Sequence, residues 1–114
     1  IMSIKLTILK TGETLISDMQ ELVSDKEQAS PHAYILNNPH KVEVGNKTFL
    51  TEEEISKGKH AIDVTMRPWI MISADKKMIL PVDCVMTIVE PIEGIKKMYQ
   101  EKNVKFKVEE ELNG

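Results

Sequence analysis

The sequence is poor in aromatic residues, arginine, cysteine and long apolar stretches. Five aromatics and one arginine, Arg67, stand in 114 residues, with fifteen basic against eighteen acidic side chains and a net charge of −3. Strong nucleic-acid binders rely on basic stripes interleaved with aromatics, and no such stripe exists here. Cys84 is the only cysteine, which excludes an intrachain disulfide and any multi-cysteine zinc site. With histidine neutral, the longest charge-free stretch runs from Gln28 to His40 and holds two prolines, well short of the ~18 apolar residues of a membrane span. No basic segment leads an apolar run at the N-terminus. A soluble cytoplasmic protein without a membrane partner is expected. Hydrophobic residues at 41% and charged residues at 29% lie near the globular average, so one folded domain is expected.

Apolar periodicity assigns most of the chain to strands. Ile4-Lys5-Leu6-Thr7-Ile8 alternates with period two, and Lys10-Thr11-Gly12-Glu13 supplies a glycine for a reversal into Thr14 to Met19. Ser24 to Pro31 reads as a solvated loop. Ala33 to Leu36 and Lys41 to Val44 read as one strand that bends or bulges at Asn37-Asn38-Pro39, because proline cannot donate to a ladder. Thr51 and Glu54 fit a capping box that Gly58 stops within two turns. Ile62, Val64 and Met66 alternate with polar residues, and Trp69-Ile70-Met71-Ile72 follows as a strand apolar on both faces. Asp75-Lys76-Lys77 is a polar turn, after which Met78 to Leu80 and Cys84 to Val89 form a second hairpin. Pro91 opens a helix of about three turns carrying Ile92, Ile95, Met98 and Tyr99 on one stripe. Val104, Phe106 and Val108 alternate before the acidic Glu109-Glu110-Glu111.

No constellation of catalytic residues emerges. His32, His40 and His60 are eight and twenty residues apart, unlike the short spacing of a compact metal site, and read as solvated loop residues. Asp83 beside Cys84 disfavours a thiolate, and Cys84 reads as a buried structural thiol. No Gly-x-Ser-x-Gly elbow or glycine-rich phosphate loop is present. Met66, Met71, Met78 and Met86 fall in expected strands, where they fill core or interface gaps in place of aromatics. The expectation is a non-enzymatic protein with no metal and no cofactor.

Trp69-Ile70-Met71-Ile72 and Val85-Met86-Thr87-Ile88-Val89 carry no charge on either face. As edge strands they are an aggregation hazard unless neighbouring subunits cover them, and pairing of two different edges closes as a ring or runs on as a fibre. The oligomer interface is therefore expected at Trp69, Ile70, Met71, Ile72, Val85, Met86, Thr87 and Ile88.

The segment Leu9-Lys10-Thr11-Gly12-Glu13-Thr14-Leu15-Ile16-Ser17 resembles the first motif of the Sm-like family, which includes the Sm and LSm proteins and Hfq; Gly12 and Ser17 take its turn-glycine and small-residue positions. Leu80-Pro81-Val82-Asp83-Cys84-Val85-Met86-Thr87-Ile88 is similar to the second motif at Leu80, Asp83, Val85 and Ile88. Pro81-Val82 replaces that motif's Arg-Gly pair, and His32-Ala33 stands where its aromatic and asparagine belong. The chain resembles most the small divergent Sm-like proteins of tailed-phage genomes.

The resemblance implies an all-β fold with minor α: a strongly bent, five-stranded antiparallel small barrel over residues 1–90, with the helix and tail of 91–114 in the same domain. It further implies a homo-oligomeric ring acting as a macromolecular binding or scaffold module. Two alternatives are a monomeric adaptor barrel and an RNA-binding ring whose contacts move to Tyr34, Lys57, Lys59 and Arg67.

Overall fold

The structure, a computed structural model, describes residues 2–23, 31–46, 62–101 and 105–108. These form seven strands, one short 3-10 helix and one α-helix: β1 (Ile4–Leu9), β2 (Thr14–Val23), β3 (Pro31–Asn46), β4 (Ile62–Pro68), β5 (Lys77–Pro81), the 3-10 turn Val82–Cys84, β6 (Val85–Val89), α1 (Glu93–Gln100) and β7 (Lys105–Val108). The protein is thus all-β with minor α, and the expected five strands become seven. The expected loop Ser24 to Pro31, apart from Pro31, which opens β3, lies outside the described residues, as do the capping box at Thr51 to Glu54, Gly58, Lys57, Lys59, His60, Val104 and Glu109 to Glu111.

The chain divides into two compact units, Ile1–Lys41 with Arg67–Pro91, and Val42–Met66 with Ile92–Gly114. In the first, the antiparallel strands run in the order β6-β1-β2-β3-β5. In the second, the far end of β3 leads through β4 to β7. The sheet is open: among the described residues no pairing joins β5 to β6, so it does not close into a barrel.

The first hairpin follows its sequence pattern. Leu9 N–H donates to the Glu13 carbonyl at 2.8 Å and Gly12 N–H to the Leu9 carbonyl at 2.9 Å, closing the turn. Gly12 holds φ at +98°, a conformation that costs a side-chain-bearing residue about 1–2 kcal/mol. Period-two alternation then sends Leu9, Leu15 and Met19 to one face, where they meet Leu36 and Leu80 and are flanked by Tyr34, Trp69, Val85 and Ile88. Thr7 and Ser17 lie on this same face, fully buried, with hydroxyls that have no hydrogen-bond partner among the described residues. Ile4 and Ile16, on the opposite face, are buried too.

β3 bends where Asn37-Asn38-Pro39 predicts it. Ile16 stands opposite His40 and Asp18 opposite Asn37, so Ser17 alone faces both Asn38 and Pro39. Asn38 takes φ +54°, the left-handed region that asparagine tolerates better than most residues. The Asn37 amide donates to the Asp18 carbonyl at 3.0 Å and holds the strands together beside the bulge.

Three local expectations are corrected. Trp69 to Ile72 is not a strand: Pro68 ends β4, the Trp69 N–H turns to the Pro39 carbonyl (3.0 Å), and Ser73 N–H closes back on the Ile70 carbonyl (3.2 Å). β5 and β6 are not a hairpin either, because the 3-10 turn between them sends β5 to β3 and β6 to β1. The helix is just over two turns rather than three; Ile92 is its N-cap, which leaves Pro91 outside, and Ile92 is exposed while Ile95, Met98 and Tyr99 are buried. Among the described residues these three, with Val64 and Met66 of β4, are the buried apolar residues of the second unit, where α1 runs beside β7.

Candidate functional site

β5 and β6 end the strand run of the first unit, and each has one strand neighbour among the described residues. An edge strand offers backbone N–H and C=O groups along its open side. The two edges are built differently.

β5 alternates without interruption. Met78 and Leu80 point inward opposite Leu36 and Tyr34, while Lys77, Ile79 and Pro81 point outward. Ile79 is 66% exposed and lies opposite Ile35; one register step on, Pro81 lies opposite Ala33, which faces Leu22 of β2. An apolar patch therefore covers the outer face next to the β5 edge, bordered by Gln20 and by the row Asp18-Asn37-Lys77.

β6 has a bulge. Ile8 pairs with Thr87 while Leu9 pairs with Val85, which leaves Met86 as the extra residue. The bulge places Val85 and Ile88, three residues apart, both toward the core cluster, with Met86 (64% exposed), Thr87 and Val89 turned out. At its start the Cys84 carbonyl accepts from Lys10 N–H at 2.9 Å, and just past its end Glu90 forms an ion pair with Lys5. Cys84 itself is exposed, against the expectation of a buried thiol: it ends the 3-10 turn, none of whose residues is buried.

The expected interface residues are therefore split. Val85 to Ile88 form an edge strand as the pattern requires. Trp69 to Ile72 does not form a strand, and β5, which the sequence pattern gives as one arm of a hairpin and not as an interface edge, takes the other edge. Trp69 packs against the core cluster and its indole N–H donates to the Glu13 carboxylate at 3.4 Å; the same carboxylate accepts from the Thr11 hydroxyl at 3.0 Å and lies 3.8 Å from the Lys41 ammonium. Met71 lies exposed on the turn, not in a strand.

Of the alternative RNA contacts, Tyr34 is half-buried against the core cluster and Arg67 is exposed on β4; Lys57 and Lys59 lie outside the described residues. His32 is exposed, and His40 is half-buried with its Nδ1 3.0 Å from the Asn38 carbonyl oxygen; both lie in β3 rather than in loops. Among the described residues no three His, Cys, Asp or Glu side chains gather as a metal site. No helix among them is long and apolar enough to cross a membrane.

A family of unknown function, DUF6561, has a sequence model that matches residues 2–103. No curated protein matches the chain.

Proposed function

The chain belongs to the DUF6561 family, and we propose that it is a non-enzymatic, Sm-like homo-oligomer whose copies join β6 of one to β5 of the next. The observation that carries this reading is the pair of dissimilar open edges at the two ends of one strand run. Pairing a bulged edge with a regular one is heterologous, so the contact propagates around a ring until no edge is left. Each junction sets the outward Met86, Thr87 and Val89 of one copy beside the outward Ile79 and Pro81 of the next, and apolar area leaves water on both.

Two features support the Sm-like reading in particular. The first unit contains five antiparallel strands. Both motif-like segments fall on structural punctuation: Gly12 at the first hairpin turn, and Pro81 to Cys84 at the 3-10 turn that separates the two edges. The ring acts as a scaffold for another macromolecule, repeating the part of the apolar patch away from the junction, Leu22 and Ile35, once per subunit.

Light scattering and native mass spectrometry at micromolar concentration test the reading. A discrete mass of several chains is expected, and Ile79→Lys should reduce it to the monomer because the new charge would be trapped at every junction. That side chain is largely exposed in the single chain, so the variant should still unfold cooperatively near the parent midpoint. Monomer alone in the parent protein would overturn the assembly. In parallel, short uridine-rich and adenine-rich RNAs titrated at two salt concentrations decide the nature of the cargo: affinity that falls with log salt identifies RNA, and silence at low salt leaves a protein.

A further inference from the structure

Strand pairing accounts for β5 and β6 but leaves one conspicuous surface unused. Between β4 and β5 the chain presents Ile70, Met71 and Ile72 in succession, 41%, 68% and 97% exposed. The turn is held at its base. Trp69 N–H donates to the Pro39 carbonyl, Asn38 N–H to the Lys76 carbonyl, and Asp75 N–H to the Ser73 hydroxyl at 3.0 Å. Both ends of the segment are thereby fixed to adjacent residues of β3, and the three apolar side chains project from an anchored tip.

Charge along this segment of the chain runs against that of the whole. From Arg67 to Lys77 there are three cations, Arg67, Lys76 and Lys77, and one carboxylate, Asp75, a local balance of +2 in a chain of −3. Lys76 and Lys77 are exposed. Fluid acyl chains accommodate three apolar side chains in succession without a pocket shaped for each.

We propose that the Ile70–Ile72 turn is a shallow insertion loop that seats the protein on an anionic lipid bilayer. The apolar tip enters the boundary between headgroups and acyl chains, and the two lysines reach up to lipid phosphates and carboxylates with their stems lying in the same apolar layer. Contact of this kind needs no spanning segment. In a ring the loop repeats once per subunit, so weak individual insertions add up to firm binding.

Flotation of the full chain with vesicles of phosphatidylcholine containing one quarter phosphatidylserine tests the proposal. The protein should float with these vesicles, and binding to pure phosphatidylcholine should be weaker by roughly five-fold for each lysine engaged. The triple variant I70S/M71S/I72S should lose more than roughly ten-fold in apparent affinity while keeping the parent's native mass and melting temperature. K76Q/K77Q should lose the preference for anionic vesicles and keep the residual binding to neutral ones. Absence of flotation, or a triple variant that floats like the parent, would overturn the loop's role. A triple variant of lower native mass overturns it as well, because the tip is then a contact between copies of the chain; loss of flotation at unchanged mass leaves the ring reading intact.

Discussion

The two edges of the first unit reach the same position in the sheet by different chemistry. β5 is regular: five residues alternate strictly, the inward pair Met78 and Leu80 is matched to Leu36 and Tyr34, and a proline ends it. β6 is irregular: Met86 is squeezed out of register so that Val85 and Ile88 both reach the core. A regular edge keeps its backbone groups evenly presented, whereas a bulged edge twists and pairs poorly with copies of itself. The proposed head-to-tail contact rests on this difference: the bulged β6 suits its own duplicate poorly, which disfavours a two-fold β6–β6 contact and leaves the regular β5 as its partner.

The largest expected effect concerns what holds each edge down. Leu80 is buried within the core cluster, so Leu80→Ala should cost about 2–5 kcal/mol in urea unfolding. Val85 is only half-buried, and Val85→Ala should cost roughly 1 kcal/mol by its smaller loss of packed methyl groups. Equal costs would erase the difference in anchoring between the edges.

Deleting Met86 addresses the bulge itself. With Met86 gone, Val85 still stands opposite Leu9 and Thr87 opposite Ile8, now as consecutive pairs, so the core side of β6 is preserved. Stability should change by no more than about 1 kcal/mol, while the straightened edge becomes able to pair with its own duplicate, giving heavier and less uniform assemblies by light scattering. An unchanged, discrete mass would show that the bulge does not select the partner edge.

Part of this arrangement was legible in the sequence, and the exceptions have physical causes. The first hairpin could be read because alternation, a turn glycine and flanking β-branched residues all agree. The bend at Asn37-Asn38-Pro39 could be read because asparagine tolerates positive φ and proline removes a donor. Trp69 to Ile72 misled because a short apolar run has the same composition in a buried strand and in an exposed turn, and only the Pro39 and Ile70 carbonyls, one of them thirty residues away in sequence, decide between them. The two open edges of the first unit were half legible for the same reason. Val85 to Ile88 announces itself by its lack of charge, but β5 hides between a lysine and a proline, and its partner β3 lies more than thirty residues upstream. Cys84 was misplaced because burial was inferred from residue type, whereas its exposure comes from a 3-10 turn that no local pattern marked.

The smallest expected effect lies at the far end of β6, where the Lys5–Glu90 ion pair ties the residue after the strand back to β1. Glu90 is 65% exposed at its side chain, so solvent screens the attraction and two long side chains must be ordered to make it. Glu90→Gln should therefore change unfolding stability by less than about 0.5 kcal/mol, and raising the salt concentration should affect parent and variant alike. A loss several times larger, confined to low salt, would mean that β6 is held by charge at its end rather than by Val85 and Ile88 along its length. The two edges would then differ in the kind of force that secures them as well as in register.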